Sequence, residues 1–391
     1  MPQLLLAFYT SGAINQVYGI LAIGFLTYVI WQLICRRNLY FTFMSSVSFQ
    51  ILCLFGIFYA IIGYANTRGI AYYFACPIMA FVTGWTIIEV NKFSANKTIK
   101  CVLYFMLVGY AVHAFLNWKV NTGNVRWLLV DFFTGEFRAA TGSGCINTLI
   151  FSIFAYLLVL EKNIGLKAFG ILAFFISMRY AFLLGSRTQF IIFLLVSVVF
   201  LFLYLYERYG KTTVLRFALI LCILSGLGFA IYHFNILNLH TYIDDSNLMA
   251  RYSNVYGLED SDDYRFNSIW NGISSLFTHP FGGLEDTGYY HNFWLDIGRI
   301  AGILPFGFML LYSFIINWHM FLIIRNKKVE GWLRYLLFCV YFGVQLNFAT
   351  EPVLEGLFDS FLCFTVINGM VECYYYKTYL PIYTQKKDIM I

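Results

Sequence analysis

Residues 190–206 read FIIFLLVSVVFLFLYLY, an apolar run without a charged side chain. A helix needs about 17–25 such residues to cross the hydrocarbon core of a bilayer. Similar runs cover most of the 391 residues, and the chain is 60% hydrophobic but only 12% charged, with a mean hydropathy of +0.70. A soluble protein of this length would need far more charge to cover its surface. The sequence therefore predicts an all-α protein that crosses a membrane many times.

The apolar runs predict about eleven spans, with a range of ten to twelve. They lie near residues 14–34, 41–63, 70–88, 101–117, 146–160, 166–184, 190–206, 213–232, 293–322, 332–349 and 355–374. The length of the run at 293–322 implies either a tilted helix or a portion that lies in the outer interface. Because no repeat or linker is evident, residues 1–391 are predicted to form one integral membrane domain.

Lysine and arginine are concentrated in alternate connections between these runs. Most of the 26 lie at 35–38, 89–100, 161–167, 207–216, 324–334 and in the C-terminal tail. Basic connections favour the cytoplasmic side, so two long loops, 118–145 and 233–292, are predicted to lie outside. The basic residues form no continuous face, which argues against nucleic acid as a partner. The nine cysteines include no CxxC pair, so neither a zinc site nor a disulfide framework is indicated.

The second outer loop is acidic and rich in aromatic residues, and Arg251 and Arg265 are its basic residues. Its segment 265–277, RFNSIWNGISSLF, places apolar residues at helical spacing. This pattern predicts an amphipathic helix on the outer face of the membrane, which THPFGG at 278–283 would end. Arg265 would stand near the helix start, where it could bind an anionic partner or pair with a neighbouring aspartate.

Residues 288–302, GYYHNFWLDIGRIAG, place several polar groups at the predicted membrane boundary. If the stretch is helical, one face carries His291, Leu295, Gly298 and Gly302. The two glycines would let a neighbouring helix approach closely, with His291 at the top of the contact. His291 is either a group with a chemical role or an interfacial histidine with satisfied hydrogen bonds.

Asp296 and Arg299 lie three residues apart in the same stretch, which is a spacing that allows an ion pair on a helix. Pairing removes much of the cost of burying each charge, so the pair is interpreted as structural. Asn292 adds a polar group to this side of the helix. Glu351, at the outer end of a late span, is either a sugar contact or an ordinary interface residue.

The segment GSRT at 185–188 interrupts two apolar runs on the outer side and requires a tight turn or a broken helix. Main-chain N–H groups beside the Arg187 guanidinium would form a good anion site. Arg179 lies about 12 Å earlier along a helix at 1.5 Å per residue. It would therefore be within the membrane and should face protein or water.

Three segments resemble the superfamily of Wzy-type O-antigen polymerases and WaaL-type O-antigen ligases. They are GSRTQF at 185–190, RFNSIW with HPFGG within 265–283, and HNFWL with a later glycine within 291–302. The resemblance covers residues 180–305 and implies a fold like that of the multi-spanning glycosyltransferases of the C class. It also implies that Arg187 and Arg265 bind the substrate diphosphate and that His291 is the general base. Arg179, Asn292, Arg251 and Glu351 are possible further substrate contacts.

The resemblance implies an enzyme of a bacterial inner membrane that acts at the periplasmic face on undecaprenyl-pyrophosphate-linked glycans. The preferred activity is polymerisation of repeat units into O-antigen or capsule-like polysaccharide. The small size of the chain and its acidic loop resemble those of the polymerases in the superfamily. Glycan transfer to lipid A-core by a ligase is the alternative, and a polysaccharide transporter or flippase is a more distant one. No cofactor is expected, and because no DxD-type metal cluster is visible outside, a metal-independent mechanism is preferred. Membrane lipids and a Wzz-type chain-length regulator are the further partners expected.

Overall fold

The computed structural model describes residues 2–13, 24, 42–64, 69–90, 94–123, 128–137, 140–235, 261–351, 353–356 and 358–379. The described residues are largely helical and contain no strand, only an isolated bridge between Val130 and Phe137. The α-helices are α1 Pro2–Thr10, α2 Val47–Gly63, α3 Cys76–Val90, α4 Ala95–Val120, α5 Ala140–Ile146, α6 Thr148–Leu160, α7 Ile164–Leu184, α8 Arg187–Tyr209, α9 Lys211–His233, α10 Ser261–Thr278, α11 Phe293–Ala301, α12 Ile303–Arg325, α13 Gly331–Thr350, α14 Val353–Gly356 and α15 Phe358–Tyr379.

Within the described ranges, six helical stretches are long and apolar enough to cross a membrane. They are Tyr72–Val90, Ala95–Val120, Gly142–Leu160, Ile164–Leu184, Arg187–Tyr209 and Ile303–Arg325. The predicted all-helical fold is therefore confirmed for the described residues, and the six stretches are consistent with a protein that crosses a membrane several times. The count of eleven spans and the outer position of the loops stay predictions, and the apolar run at 14–34 lies outside the described residues apart from Gly24.

The long apolar run at 293–322 is not one tilted helix, because it is broken at Gly302 into α11 and α12. Gly302 has φ 81° and ψ −167°, a backbone conformation that is essentially restricted to glycine. A Cβ atom there would lie 2.1 Å from the main-chain oxygen of Pro280. The Ile303 N–H donates to the same oxygen at 2.9 Å, so the turn after α10 and the start of α12 are joined directly.

The chain divides into two compact units, each built from separate stretches of sequence. The first comprises Met1–Tyr110, Asp262–Arg334 and Phe348–Ile391, and the second comprises Ala111–Ser261 and Tyr335–Asn347. That residues 1–391 form a single integral domain stays a prediction.

In the first unit, α3 and α15 pack with their backbones in contact. A Cβ atom on Gly84 would lie 1.9 Å from the Val366 oxygen, and one on Gly369 would lie 2.0 Å from the Phe81 oxygen. Small residues that face each other allow this approach, which is a common way for helices to associate in a membrane.

In the second unit, the predicted loop 118–145 is partly helical and otherwise tied to the end of α4. The Asn121 side-chain amide satisfies both main-chain polar groups of Val130. It donates to the Val130 oxygen and accepts from the Val130 N–H, both at 2.8 Å. One helical turn earlier, the Asn117 side-chain oxygen accepts from the Phe132 N–H at 3.0 Å. Both asparagines are buried, so the segment 128–137 is anchored by the helix that precedes it.

Candidate functional site

A buried ion pair lies beneath the segment that carries His291. The Arg299 Nε donates to Asp296 Oδ1 at 3.3 Å, and the two residues are only 1% and 2% exposed. The predicted pairing of these residues is thus confirmed. Arg299 Nη1 also donates to the carbonyl oxygens of Leu284 and Glu285, at 2.9 and 2.8 Å. One guanidinium therefore fixes the chain that leads to His291.

The Asp296 carboxylate also holds the main chain on both sides of His291. Oδ1 accepts from the Tyr290 N–H at 2.8 Å, and Oδ2 accepts from the Asn292 N–H at 3.2 Å. Between these two anchored peptides, His291 has φ 52°, a left-handed conformation that a residue with a Cβ rarely adopts. Its side chain is half-buried. Backbone strain of this kind occurs often at functional sites.

The prediction that His291 shares a helical face with Leu295, Gly298 and Gly302 is wrong. The helix α11 begins at Phe293, because the Asn292 side chain caps it by accepting from the Leu295 N–H at 3.1 Å. His291 precedes this cap, and Gly302 ends the helix. The close approach predicted for Gly298 exists, since a Cβ atom there would lie 2.3 Å from a methyl carbon of Leu276 on α10.

Burial raises the pKa of the Asp296 carboxyl above its ordinary value, while the Tyr290 N–H, Arg299 and the Asn292 N–H oppose this rise. The favourable contacts therefore do not fully offset the desolvation of the carboxylate. Buried ion pairs are poor sources of stability for this reason. The pair is better understood as a device that fixes the His291 segment in place.

Two predicted substrate contacts lie beside this segment. The Asn292 side chain, besides capping α11, donates to the Ala349 oxygen at the end of α13 at 3.3 Å. Glu351, two residues later, is buried. Asn292 thus contacts the end of α13 and Glu351 directly follows that helix, and their proposed roles as substrate contacts stay predictions.

The predicted break in the GSRT segment is confirmed. The helix α7 ends at Leu184, Gly185 adopts a left-handed conformation with φ 62°, and α8 begins at Arg187. Arg187 is half-buried in the first turn of α8. A cation in the first turn interacts unfavourably with the helix dipole, so a contribution to helix stability does not explain why an arginine occupies this position.

The other predicted arginines lie in different parts of the chain. Arg179 on α7 is exposed, so its side chain is not buried in the protein, and its predicted contact with protein or water stays a prediction. Arg265 lies on α10, but its side chain is outside the described part of the chain, and Arg251 is outside it altogether. Arg179 and Arg187 belong to the second unit, and Arg265 and His291 belong to the first.

The sequence analysis missed a buried polar cluster around one glutamate in the first unit. Glu372 on α15 is fully buried and contacts His319 Nδ1 at 2.6 Å. Its other oxygen accepts from the hydroxyls of Ser48 and Ser46 at 2.8 and 3.1 Å. The Tyr375 ring stacks on His319 at 3.9 Å. These residues lie far apart in sequence and in ordinary apolar runs, so spacing gave no signal for them.

Taken together, the chain is an all-helical protein whose described part has six candidate membrane-spanning helices and a half-buried histidine held by an ion pair. No protein-family model matches this chain, and no curated protein matches it.

Proposed function

We propose that the protein is a membrane glycosyltransferase that polymerises undecaprenyl-pyrophosphate-linked oligosaccharide repeat units. It would act at the periplasmic face of a bacterial inner membrane, without a metal ion. The observation that carries the proposal is the presentation of His291. The Asp296 contacts on both flanks hold the main chain around a residue with a left-handed backbone and a half-buried imidazole.

In the proposed step, an acceptor hydroxyl oxygen forms a bond to the anomeric carbon of the donor glycan. The bond from that carbon to the diphosphate oxygen breaks, and the lipid diphosphate leaves. His291 takes the proton of the acceptor hydroxyl, for which an imidazole is suited near neutral pH. Arg187 and Arg265 keep the diphosphate-binding role that the family resemblance implies, since positive charge stabilises a departing diphosphate.

Support for His291 as the reacting group comes from how the surrounding residues are used. Asp296 and Arg299 are engaged with each other and with main-chain groups, so we assign both a positioning role. Asn292 is engaged as a helix cap. The side chains of Asp296, Arg299 and Asn292 are thus occupied by these contacts, and the His291 side chain is half-buried.

The test is to incubate the purified protein in lipid nanodiscs with the lipid-linked repeat unit from its own cells as the only substrate. A ladder of lengthening lipid-linked glycans, formed in the presence of EDTA and lost in His291→Asn, would support the proposal. His279→Asn is the matched control, because His279 is exposed and lies just beyond α10. Product formation only after lipid A-core is added would indicate a ligase, and metal dependence would overturn the mechanism.

A further inference from the structure

The helix α10 has three distinct faces in its described part. The buried face consists of small residues and one leucine, namely Ser268, Gly272, Ser275 and Leu276. A second face is apolar and exposed, and it carries Ile269, Trp270, Ile273 and Phe277. The third face is polar and exposed, and it carries Asn267, Asn271, Ser274 and Thr278. Each set recurs at spacings of one, three or four residues, so each follows one side of the helix.

The buried face fits closely against the segment that carries His291. A Cβ atom on Gly272 would lie 3.0 Å from the Tyr290 ring and 3.1 Å from a methyl carbon of Leu295. Leu276 packs with Tyr290, Leu295 and Phe306 in a small hydrophobic core. Small residues are thus used where the helix meets the protein.

The large apolar residues of α10 face away from this contact, which is the reverse of a helix on a soluble protein. Phe277 is 74% exposed, Trp270 is 58% exposed, and Phe281 just after the helix is 75% exposed. An exposed patch of this kind marks a surface that something covers.

Lipid is the occupant that the surrounding structure favours. The turn after α10 is bonded to the first residue of α12, through the Pro280 oxygen and the Ile303 N–H. A candidate membrane span begins at that residue, and its side chain and that of Leu304 are also exposed. The apolar face of α10 is therefore linked directly to the end of a span, where aromatic side chains favour the membrane interface.

We propose that α10 lies in the membrane interface with its apolar face in lipid, its polar face in water and its small-residue face against the protein. A helix with one face suited to protein, one to lipid and one to water is best accommodated at the membrane–water interface beside the protein, where it contacts all three. Trp270, Phe277 and Phe281 would be the anchors. Because the small-residue face packs on Tyr290 and Leu295, this placement would also set the depth of the His291 segment.

The proposal does not depend on the reaction and can be tested in the full-length protein in lipid nanodiscs. 4-Trifluoromethylphenylalanine is placed at position 277 and, as the matched control, at position 274 on the polar face. Fluorine relaxation is then measured with dissolved oxygen, which concentrates in the acyl region, and with a water-soluble nickel chelate. Both positions are exposed, so neither substitution threatens the fold.

The expected result is a severalfold larger ratio of oxygen effect to nickel effect at position 277 than at position 274. Equal access of nickel to both positions would overturn the proposal, because the apolar face would then lie in water. Protection of position 277 from both reagents would also overturn it, because a protein surface would then cover this face.

Discussion

Asp296 holds the main chain on both sides of His291, because its two carboxylate oxygens accept from the N–H groups of Tyr290 and Asn292. The ion pair with Arg299 and the left-handed backbone of His291 belong to the same arrangement. Asp296 and Arg299, which the sequence predicts to be a structural ion pair, therefore position the main chain of His291, the candidate base.

Replacing Asp296 with Asn should lower both activity and stability, because the buried Arg299 guanidinium would lose its counter-charge. An amide offers one acceptor oxygen, so one of the two N–H groups beside His291 would lose its partner, at a cost of about 1–3 kcal/mol. Polymer formation should fall at least tenfold, as measured by gel analysis of the lipid-linked products. Asp286→Asn, an exposed change in the same segment, should have no effect. Wild-type activity in Asp296→Asn would contradict the positioning role.

Variants of His291 should separate its chemistry from its conformation. Asn accepts a left-handed backbone readily, whereas Ala there costs about 1–2 kcal/mol. His291→Asn should therefore unfold at or above the wild-type midpoint, and His291→Ala below it, as measured by thermal unfolding in detergent. Both should lose the contribution of a general base, about 10²–10⁴-fold in rate. Retained activity in His291→Asn would exclude a proton-transfer role.

Arg187→Gln should reduce activity while leaving stability within about 1 kcal/mol of the wild type. The reason is that a cation in the first turn of α8 does not favour the helix. Lys211→Gln provides the matched control, because Lys211 is an exposed cation at the first position of α9. Unfolding midpoints and product ladders would be compared for the two variants. Equal activity in both would remove the assigned diphosphate contact.

The sequence was sufficient to predict most of the helices, because long apolar runs have few alternatives to a membrane span. It also predicted the break before Arg187, since Gly185 and Ser186 interrupt two such runs, and the ion pair of Asp296 and Arg299, since three-residue spacing is local. These features depend on residues that are close together in the chain.

The features that the sequence did not predict depend on contacts between residues distant in the chain or on the capping of a helix. The break at Gly302 requires the Pro280 oxygen, and the cluster around Glu372 joins elements more than 300 residues apart, such as Ser46 and Glu372. The position of His291 could have been predicted better. Asn292 is a favoured N-cap residue, so α11 could have been expected to begin after His291 rather than before it.

Replacing Arg299 with Gln should shift the acid side of the pH–activity profile to higher pH. Burial already raises the pKa of Asp296, and the Arg299 charge opposes this rise, so its removal should raise that pKa further. A protonated Asp296 loses an acceptor for one of the N–H groups beside His291, and activity would then fall at a higher pH than in the wild type. An unchanged acid side in a folded variant would show that the Asp296 charge does not matter.

Glycine-to-alanine changes around α11 should differ in cost according to what the new methyl group meets. In Gly302→Ala it would meet the main-chain oxygen of Pro280 at 2.1 Å, and the backbone there, with φ 81° and ψ −167°, alone costs a residue with a Cβ atom about 1–3 kcal/mol. In Gly298→Ala it would meet the end of the Leu276 side chain, which can move, so the loss should be smaller. Gly307→Ala in α12 meets nothing within 4 Å and should stabilise the protein by about 0.5–1 kcal/mol. Thermal unfolding midpoints should therefore rank Gly307→Ala highest and Gly302→Ala lowest. A midpoint for Gly302→Ala equal to that of Gly298→Ala would mean that the main-chain contact with Pro280 does not fix the end of α11.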